Sequence, residues 1–280
     1  MEYHNESMGM MSSREHMHRV AQQVLITKDE DGINYSGYGS AFFLEYNNHT
    51  FFVTAAHLLY SDENPQELIS DYLHVITDYS KHFIDGSIVG KYFRISNIYL
   101  VGKVDYEMLK MLKDSDDVEI KDFTSYDDIA ISYIEPQRRK EIDAIRTTEL
   151  KINDIVECPA NISKIPVEQS FISNAIKVGE KCFVHGQILS EPKGQVMTSS
   201  IEHHYPLIYN KKDIYGDYIF SYHQVNESDW SGLSGSPVFT DKYKLIGILL
   251  RADSKGNTVI VAPIAKLTKK LDYFIERFLQ

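Results

Sequence analysis

Short runs of β-branched and aromatic residues, separated by glycine, asparagine, aspartate and proline, are the feature that most limits how this chain can fold. Runs of this length and composition are typical of β-strands, and their spacing favours barrels or sandwiches over alternating strands and helices. We therefore expect an all-β protein. The predicted strands are residues 24–27, 40–46, 50–54, 129–134, 181–185, 218–222, 244–250 and 258–262.

Two further segments are not typical of strands. Residues 105–122 are dense in Asp, Glu, Lys, Met and Leu, and we expect an exposed helix or a long loop there. In residues 267–279, apolar side chains recur at spacings of three and four, which predicts an amphipathic C-terminal helix. The apolar face of that helix consists of Leu267, Leu271, Phe274, Ile275 and Phe278.

The charge balance excludes one class of partner. The chain has 40 acidic and 29 basic residues and a net charge of −11, whereas proteins that bind nucleic acid usually present a basic face.

No stretch approaches the roughly 18 apolar residues of a membrane-spanning helix. Residues 1–20 lack the apolar centre of a secretory signal. We expect a cytoplasmic protein that binds neither nucleic acid nor membrane.

The cysteine content agrees with that compartment. Cys158 and Cys182 are the only cysteines, and their spacing is not that of a disulfide-dense framework. Disulfides persist mainly in oxidising environments, so a low cysteine count favours a reducing one. The sequence alone leaves open whether these two cysteines are paired.

Candidates for acid–base chemistry stand at the ends of two predicted strands. His57 follows a β-rich run that ends in Ala55 and Ala56, and small residues allow the backbone to turn so that the imidazole faces a cleft. Asp127 and Asp128 precede another predicted strand, where a carboxylate can be buried if a histidine N–H satisfies it. Taken singly, each of these residues is more typical of a surface position, a packing position or a turn.

A glycine-rich turn is the most specific signal in the chain. Ser234 lies between Gly232 and Gly235 in the run Gly-Leu-Ser-Gly-Ser-Pro-Val-Phe, which leads directly into a predicted strand. Glycines on both sides of a serine allow a tight turn with exposed backbone N–H groups. Such a turn presents a hydroxyl and an anion-binding pocket at the same point, which is what acyl-transfer chemistry requires.

At these residues the chain resembles the trypsin-like serine peptidases, whose triad follows the chain order His, Asp, Ser. Residues 234–239 and 245–248 are similar to the glutamyl endopeptidases. Residues 128–130, 178–180 and 261–264 are similar to the HtrA-type proteases. No PDZ-like segment follows, and we expect none.

The resemblance implies a fold of two packed six-stranded antiparallel β-barrels with the active site between them. It implies a first barrel at residues 20–136 and a second barrel at 157–264, joined by a connection at 137–156. Residues 1–19 are then an N-terminal extension, and residues 265–280 are the C-terminal helix.

The resemblance also implies a role for each motif residue. Ser234 is the nucleophile, His57 is the general base and later the general acid, and Asp128 orients the imidazole. Asp128 is preferred to Asp127 because it directly precedes Ile-Ala, as the family aspartate does. The backbone N–H groups of Gly232 and Ser234 form the oxyanion hole.

Activation by a new N-terminal amine is not expected. In trypsin-type zymogens that amine pairs with an aspartate just before the serine, and this position holds Leu233. Any control is therefore expected to act through loop ordering or through an activating protein partner. One hypothesis is that the chain is the protease effector of a bacterial stress or defence pathway.

Four residues are candidates for the substrate pocket. Leu249 stands where glutamyl endopeptidases carry a histidine, and together with Ala252 it favours an apolar side chain. Arg251 would favour an acidic side chain, and Asp229 would favour a basic one. Our order of preference is apolar, then acidic, then basic.

The sequence supports two functions from different classes. The first is an endopeptidase that cleaves protein or peptide substrates through an acyl-enzyme intermediate. The alternative is a catalytically silent pseudo-protease that uses the same crevice to bind peptides or act as a scaffold. No cofactor is expected, since nucleotide-binding glycine motifs are absent. No metal is expected either, because the His203-His204 pair lacks further ligands at zinc spacing.

Overall fold

The predicted strands are present in a computed structural model of the chain, which describes residues 13–27, 35–59, 72–76, 83–84, 87–88, 92–95, 97–101, 127–147, 149–152, 154–189 and 199–279. All eight predicted runs coincide with strands, and several strands extend beyond the predicted ends. The segment predicted as an exposed helix or loop, residues 105–122, lies outside the described residues.

The first half of the chain forms a curled eight-stranded sheet. Its strands are β1 (Ala21–Thr27), β2 (Tyr35–Tyr46), β3 (His49–Ala55), β4 (Tyr72–Ile76), β7 (Tyr92–Ile95), β8 (Ile98–Val101), β9 (Ile129–Ile134) and β12 (Val167–Glu168). The order across the sheet is β7-β4-β1-β2-β3-β9-β8, and β12 pairs in parallel with β2. Only residues 96–97 separate the outermost strands β7 and β8 in the chain. This short connection keeps the two ends of the sheet close together.

The second half forms a closed barrel. Its strands are β13 (Lys181–Leu189), β14 (Ser199–Lys212), β15 (Tyr218–Ser221), β16 (Pro237–Thr240), β17 (Leu245–Asp253) and β18 (Thr258–Pro263). They pair in the order β13-β14-β15-β18-β17-β16. Two separate hairpins complete the strands of the described residues: β5 (Phe83–Ile84) with β6 (Ser87–Ile88), and β10 (Leu150–Ile152) with β11 (Ile155–Cys158).

Both halves repeat one order of strands, which confirms the predicted fold class. In each half three consecutive strands form a meander, and the third then pairs with a later strand, which is β9 in the first half and β18 in the second. The difference from the prediction lies in the first half, which is a curled sheet of eight strands rather than a six-stranded barrel. Two of these, β4 and β7, lie beyond β1, where the second barrel has the single strand β16.

Four α-helices lie in the described residues: α1 (Ser13–Val20), α2 (Arg139–Asp143), α3 (Glu227–Trp230) and α4 (Ile264–Phe278). Helix α4 is the predicted C-terminal helix, and Leu267, Leu271 and Phe274 are buried as expected. The prediction is wrong for Phe278, which is 59% exposed in the last turn of the helix.

One of the apolar clusters lies between the two halves. Along β2, Phe43 faces the interior of the first sheet, whereas Phe42 faces a cluster that also contains Ile248 of β17 and Leu271 of α4. Successive strand residues point to opposite faces, so a strand buried on both sides needs apolar residues in sequence. We call the cluster on the Phe42 side the interface core. It binds the two halves and both terminal helices together, since Met17 of α1 also belongs to it.

Within the described residues no helix is long and apolar enough to cross a bilayer. Cys158 and Cys182 are both free thiols and both buried. That answers the question of pairing that the sequence left open.

A group of basic side chains lies beneath α1; we call it the basic cluster. The ring centroids of His18 and His185 are 5.8 Å apart, and those of His185 and His203 are 5.7 Å apart. The ammonium group of Lys164 donates to the carbonyls of His18 (2.6 Å) and Ala21 (2.5 Å). Burial disfavours the charged forms, and it lowers the pKa of Lys164 to about 7 and that of His203 to about 4.

We expect this cluster to make the protein sensitive to acid. Burial, with help from the neighbouring His18, His203, Lys164 and Arg14, lowers the pKa of His185 well below its usual value. Stability contributed by a group with a lowered basic pKa is complete above its unfolded pKa and is lost as the pH falls. Acidification from about pH 8 to about pH 5 should therefore lower the free energy of unfolding, and His185→Leu should reduce that loss by about 1–2 kcal/mol.

Urea denaturation of both proteins at the two pH values measures this difference. Replacement of the exposed His223 by leucine is the matched control and should leave the loss on acidification unchanged. An equal loss for wild type and His185→Leu would contradict the assignment.

Candidate active site

His57 and Asp128 meet because two paired strands end side by side. Strands β3 and β9 pair with Ala55 opposite Ile129, so the residues just beyond them are neighbours. The backbone N–H of His57 donates to Asp128 Oδ1 at 2.7 Å, and His57 Nδ1 lies 2.5 Å from Asp128 Oδ2. A carboxylate oxygen is the acceptor in this bond, so Nδ1 of the imidazole is the donor.

The exposure of the pair suits this division of roles. The side chain of Asp128 is 11% exposed and that of His57 is 40% exposed. A carboxylate so far removed from water is stabilised by the two N–H groups that it accepts. The imidazole is held from the buried side and stays accessible to solvent.

Asp127 has a different partner. It lies in the left-handed region of backbone conformation (φ 45°) and its carboxylate is 3.3 Å from the ammonium group of Lys266 in α4. The same ammonium group lies 2.8 Å from Asp217 of the second half, which is fully buried. Burial raises the pKa of Asp217 to about 6, although Lys266 acts in the opposite direction. The structure therefore places Asp128, and not Asp127, against His57.

The serine loop, residues 231–236, joins α3 to β16. Gly232 (φ 83°) and Gly235 (φ 91°) occupy the left-handed region that favours glycine. Between them, the side chain of Leu233 is fully buried in the core of the second barrel. The two glycines thus allow the chain to turn on either side of Ser234, while the leucine anchors the turn.

The backbone N–H groups of this loop divide into two sets. Those of Leu233, Gly235 and Ser236 donate to the carbonyls of Trp230, Leu249 and Leu233, at 3.2, 2.8 and 2.9 Å. In the part of the chain that the structure describes, the N–H groups of Gly232 and Ser234 have no hydrogen-bond acceptor. These two are the donors that the sequence predicts for the oxyanion hole.

The serine loop packs closely against the first half. The Ser40 N–H donates to the carbonyl of Ser234 at 2.9 Å, and the Ser40 hydroxyl donates to the carbonyl of Gly232 at 2.9 Å. At Gly235, a methyl group would overlap Ser40 O and Thr54 Oγ1 and would lie 3.1 Å from the nitrogen of Ala55. The chain that carries Ser234 therefore touches the strand end that leads to His57.

The hydroxyl of Ser234 donates to the carbonyl of Leu250 at 2.8 Å. A serine side chain has three staggered positions about its Cα–Cβ bond, and one rotation moves the oxygen from one to the next. The hydroxyl is thus one rotamer change away from a different direction, with no backbone movement required.

The four predicted pocket residues differ in accessibility. Leu249 is 1% exposed and belongs to the core of the second barrel, whereas Arg251, two residues further along β17, is exposed. Ala252 is half-buried against that core. Asp229 is exposed, and hydrogen bonds from Asn226 and Ser228 lower the pKa of its carboxyl group.

An aromatic stack supports the backbone of this region, and the sequence did not indicate it. The rings of His204 and Trp230 are stacked with centroids 4.1 Å apart, and Tyr222 meets Trp230 edge-on at 5.3 Å. His204 Nε2 lies 3.1 Å from the carbonyl oxygen of Asp229. His204 is thus part of the wall beneath α3. Among the described residues no group of three or more His, Cys, Asp or Glu side chains is placed to hold a metal ion.

Two other residues at the site were missed by sequence reasoning. Ser40 and Lys266 each bond to segments far away in the chain, at sequence separations of 192 for Ser40 and Gly232 and 49 for Lys266 and Asp217. Neither belongs to a local motif, so only the assembled fold identifies them.

Comparison with known proteins supports the fold. No protein-family model matches the sequence, and no curated protein is significantly similar to it. An inactivated protease paralogue of the scabies mite superposes with a TM-score of 0.53 and 11% identity, over 95% of this chain and 96% of that one. Human heparin binding protein superposes with a TM-score of 0.50 and 8% identity, over 95% of both chains. The chain therefore has the chymotrypsin-like fold of the trypsin-like serine peptidases.

Gly235 offers a test of how closely the two halves approach. We expect Gly235→Ala to lower the free energy of unfolding by about 3–5 kcal/mol, because the methyl group meets backbone and adds left-handed strain. Gly179 is a matched control: it has nearly the same φ (84°), but a methyl group there would meet nothing within 4 Å. Gly179→Ala should cost only the strain, about 1–2 kcal/mol. Chemical denaturation measures both, and equal costs would contradict the close approach.

Proposed function

We propose that this protein is a serine endopeptidase that cleaves protein substrates through an acyl-enzyme intermediate. One observation supports this best: a turn carrying Ser234 and two N–H groups without acceptors packs against the strand end that bears the bonded His57–Asp128 pair. Nucleophile, base, orienting carboxylate and oxyanion donors are the parts that this chemistry needs.

The proposed reaction begins when the Ser234 hydroxyl leaves Leu250 and turns toward His57. Its oxygen attacks the carbonyl carbon of the scissile peptide bond while His57 Nε2 takes the proton. Asp128 stabilises the resulting imidazolium ion, and the N–H groups of Gly232 and Ser234 donate to the oxyanion. His57 then protonates the departing amine, and a water molecule, activated by the same base, hydrolyses the acyl-enzyme.

Substrate preference stays a prediction. Ala252, Arg251 and Asp229 present accessible surface near the serine loop, whereas Leu249 contributes mainly to the barrel core. We retain the order apolar, acidic, basic for the side chain preferred at the cleavage site.

Labelling of the purified protein with a fluorophosphonate probe tests the proposal. We expect wild type to be labelled, and Ser234→Ala and His57→Ala to lose labelling, by on the order of 10⁴-fold or more. The serine variant removes the bond-forming oxygen and the histidine variant removes the base. Labelling that survives in Ser234→Ala would contradict the proposal. A wild type that is not labelled would mean either an enzyme that is latent without its partner or a module that only binds peptides.

The two adjacent aspartates allow a sharper comparison. Asp128→Asn should reduce the labelling rate by on the order of 10⁴, since an amide at this position favours the wrong imidazole tautomer. Asp127→Asn is the same substitution one residue earlier, and it should change the labelling rate by less than about tenfold. Labelling rates of the two variants, measured under identical conditions, decide the assignment. A larger loss for Asp127→Asn would reverse it.

The alternative is a catalytically silent module that binds peptides in the same crevice. The observation in its favour is that the Ser234 hydroxyl donates to Leu250 and is thereby withdrawn from the nucleophile's role. This alternative requires that Ser234→Ala bind peptides as wild type does and that neither protein cleave them.

We further propose that the enzyme acts in the cytoplasm and that a protein partner controls it, as in a bacterial stress or defence pathway. The motivating residue is Leu233, which occupies the place of the zymogen aspartate and is buried instead of charged. Full activity of the purified chain without any partner would contradict this control while leaving the peptidase proposal intact.

A further inference from the structure

We propose that Ser40 is a positioning residue that holds the oxyanion hole of the proposed peptidase in its working shape. The inference rests on the proposed function and adds a residue from outside the three motifs. Ser40 lies in the middle of β2, in the half of the molecule that does not contain the serine loop.

Ser40 binds the two residues that supply the oxyanion donors. Its N–H donates to the carbonyl of Ser234 and its hydroxyl donates to the carbonyl of Gly232, both at 2.9 Å. These are the residues whose own N–H groups have no acceptor in the described part of the chain. Each carbonyl shares a peptide plane with the N–H of the following residue, and a single Cα joins that plane to the donor N–H. Ser40 therefore holds the peptide planes next to both donors and restricts the directions that their N–H groups can take.

The hydroxyl of Ser40 has little freedom to do anything else. Ser40 is fully buried, and its carbonyl accepts the Thr54 hydroxyl at 2.7 Å, which holds its backbone. Gly186 of β13 lies opposite, where even a methyl group would come within 3.1 Å of Ser40 Oγ. A buried hydroxyl without a partner costs about 1–3 kcal/mol, so the bond to Gly232 is strongly preferred.

Contacts within the second half hold the loop from the other side. Burial of Leu233 is favourable but non-directional. The N–H groups of Leu233 and Gly235 donate to the carbonyls of Trp230 and Leu249, in the same peptide planes whose carbonyls Ser40 binds. Docking of the two halves thus adds the second hydrogen bond to each of these planes.

Ser40→Ala removes the hydroxyl bond and keeps the backbone bond. We expect the maximal inactivation rate by a fluorophosphonate to fall roughly 10- to 100-fold, because its phosphoryl oxygen needs the oriented donors. The concentration for half-maximal rate should change little, since initial binding does not depend on them. Ser132→Ala is the matched control: Ser132 is also a fully buried serine in a strand of the first half, but lies outside the site.

Amide hydrogen exchange of residues 230–236 gives a second readout that does not need activity. Exchange should be faster in Ser40→Ala than in both wild type and Ser132→Ala, at comparable melting temperatures. Should the alanine variant not fold, Ser40→Cys keeps the volume with a weaker donor and should move both readouts in the same direction.

The outcomes separate this inference from the proposed function. Suppose that wild type is labelled and that Ser40→Ala matches it in both labelling rate and amide exchange. This result overturns the role of Ser40 and leaves the proposed function intact. Equal losses in Ser40→Ala and Ser132→Ala would also overturn it, because they indicate general destabilisation. A wild type that is not labelled indicates a latent or silent site and concerns the proposed function alone, while the exchange comparison still decides whether Ser40 holds the loop.

Discussion

The contact between β2 and the serine loop is the interaction on which the site depends. His57 and Asp128 belong to the first half and Ser234 to the second, so their arrangement is set by how the halves dock. Shape and polarity both define that contact. Gly235 allows the backbone of the serine loop to approach the backbone of the first half. Ser40 donates two hydrogen bonds, from its N–H and its hydroxyl, to carbonyls of the serine loop. Apolar packing of the interface core brings the halves together without fixing their register. The polar contacts provide that register, because hydrogen bonds require direction.

A second link between the halves runs through charge. Lys266 in the C-terminal helix binds Asp127 of the first half and Asp217 of the second, next in the chain to the aspartate that is bonded to His57. A buried ion pair of this kind contributes little net stability, but it strongly disfavours arrangements in which one partner is left alone. The same helix packs Phe274 against Phe51 at 6.0 Å. Helix α4 thus closes the molecule after the last strand and ties the end of the chain back to the first half.

Most of the regular structure could be predicted because its causes are local. Alternating or continuous apolar runs revealed eight strands, and spacings of three and four revealed α4. Several strands escaped prediction, although β8 (Ile98–Val101) is itself a continuous apolar run. Strand β14, the longest of them, contains Glu202, two histidines and Pro206, a composition that is unfavourable in an isolated strand. Its pairing with β13 and β15 overrides that local preference, and the same pairing buries His185 beneath α1.

The sequence by itself determined the strand and helix segments and the motifs at His57, Asp128 and Ser234, since residue spacing and glycine placement act over a few neighbours. The tertiary structure decided which aspartate faces His57, because Asp127 and Asp128 differ only in the partners that the fold brings to them. It also decided that the first half curls as eight strands, and that Phe278 stays exposed. Ser40 belongs to this second group: its partners lie some 190 residues away, and no local pattern encodes a contact across two halves of a molecule.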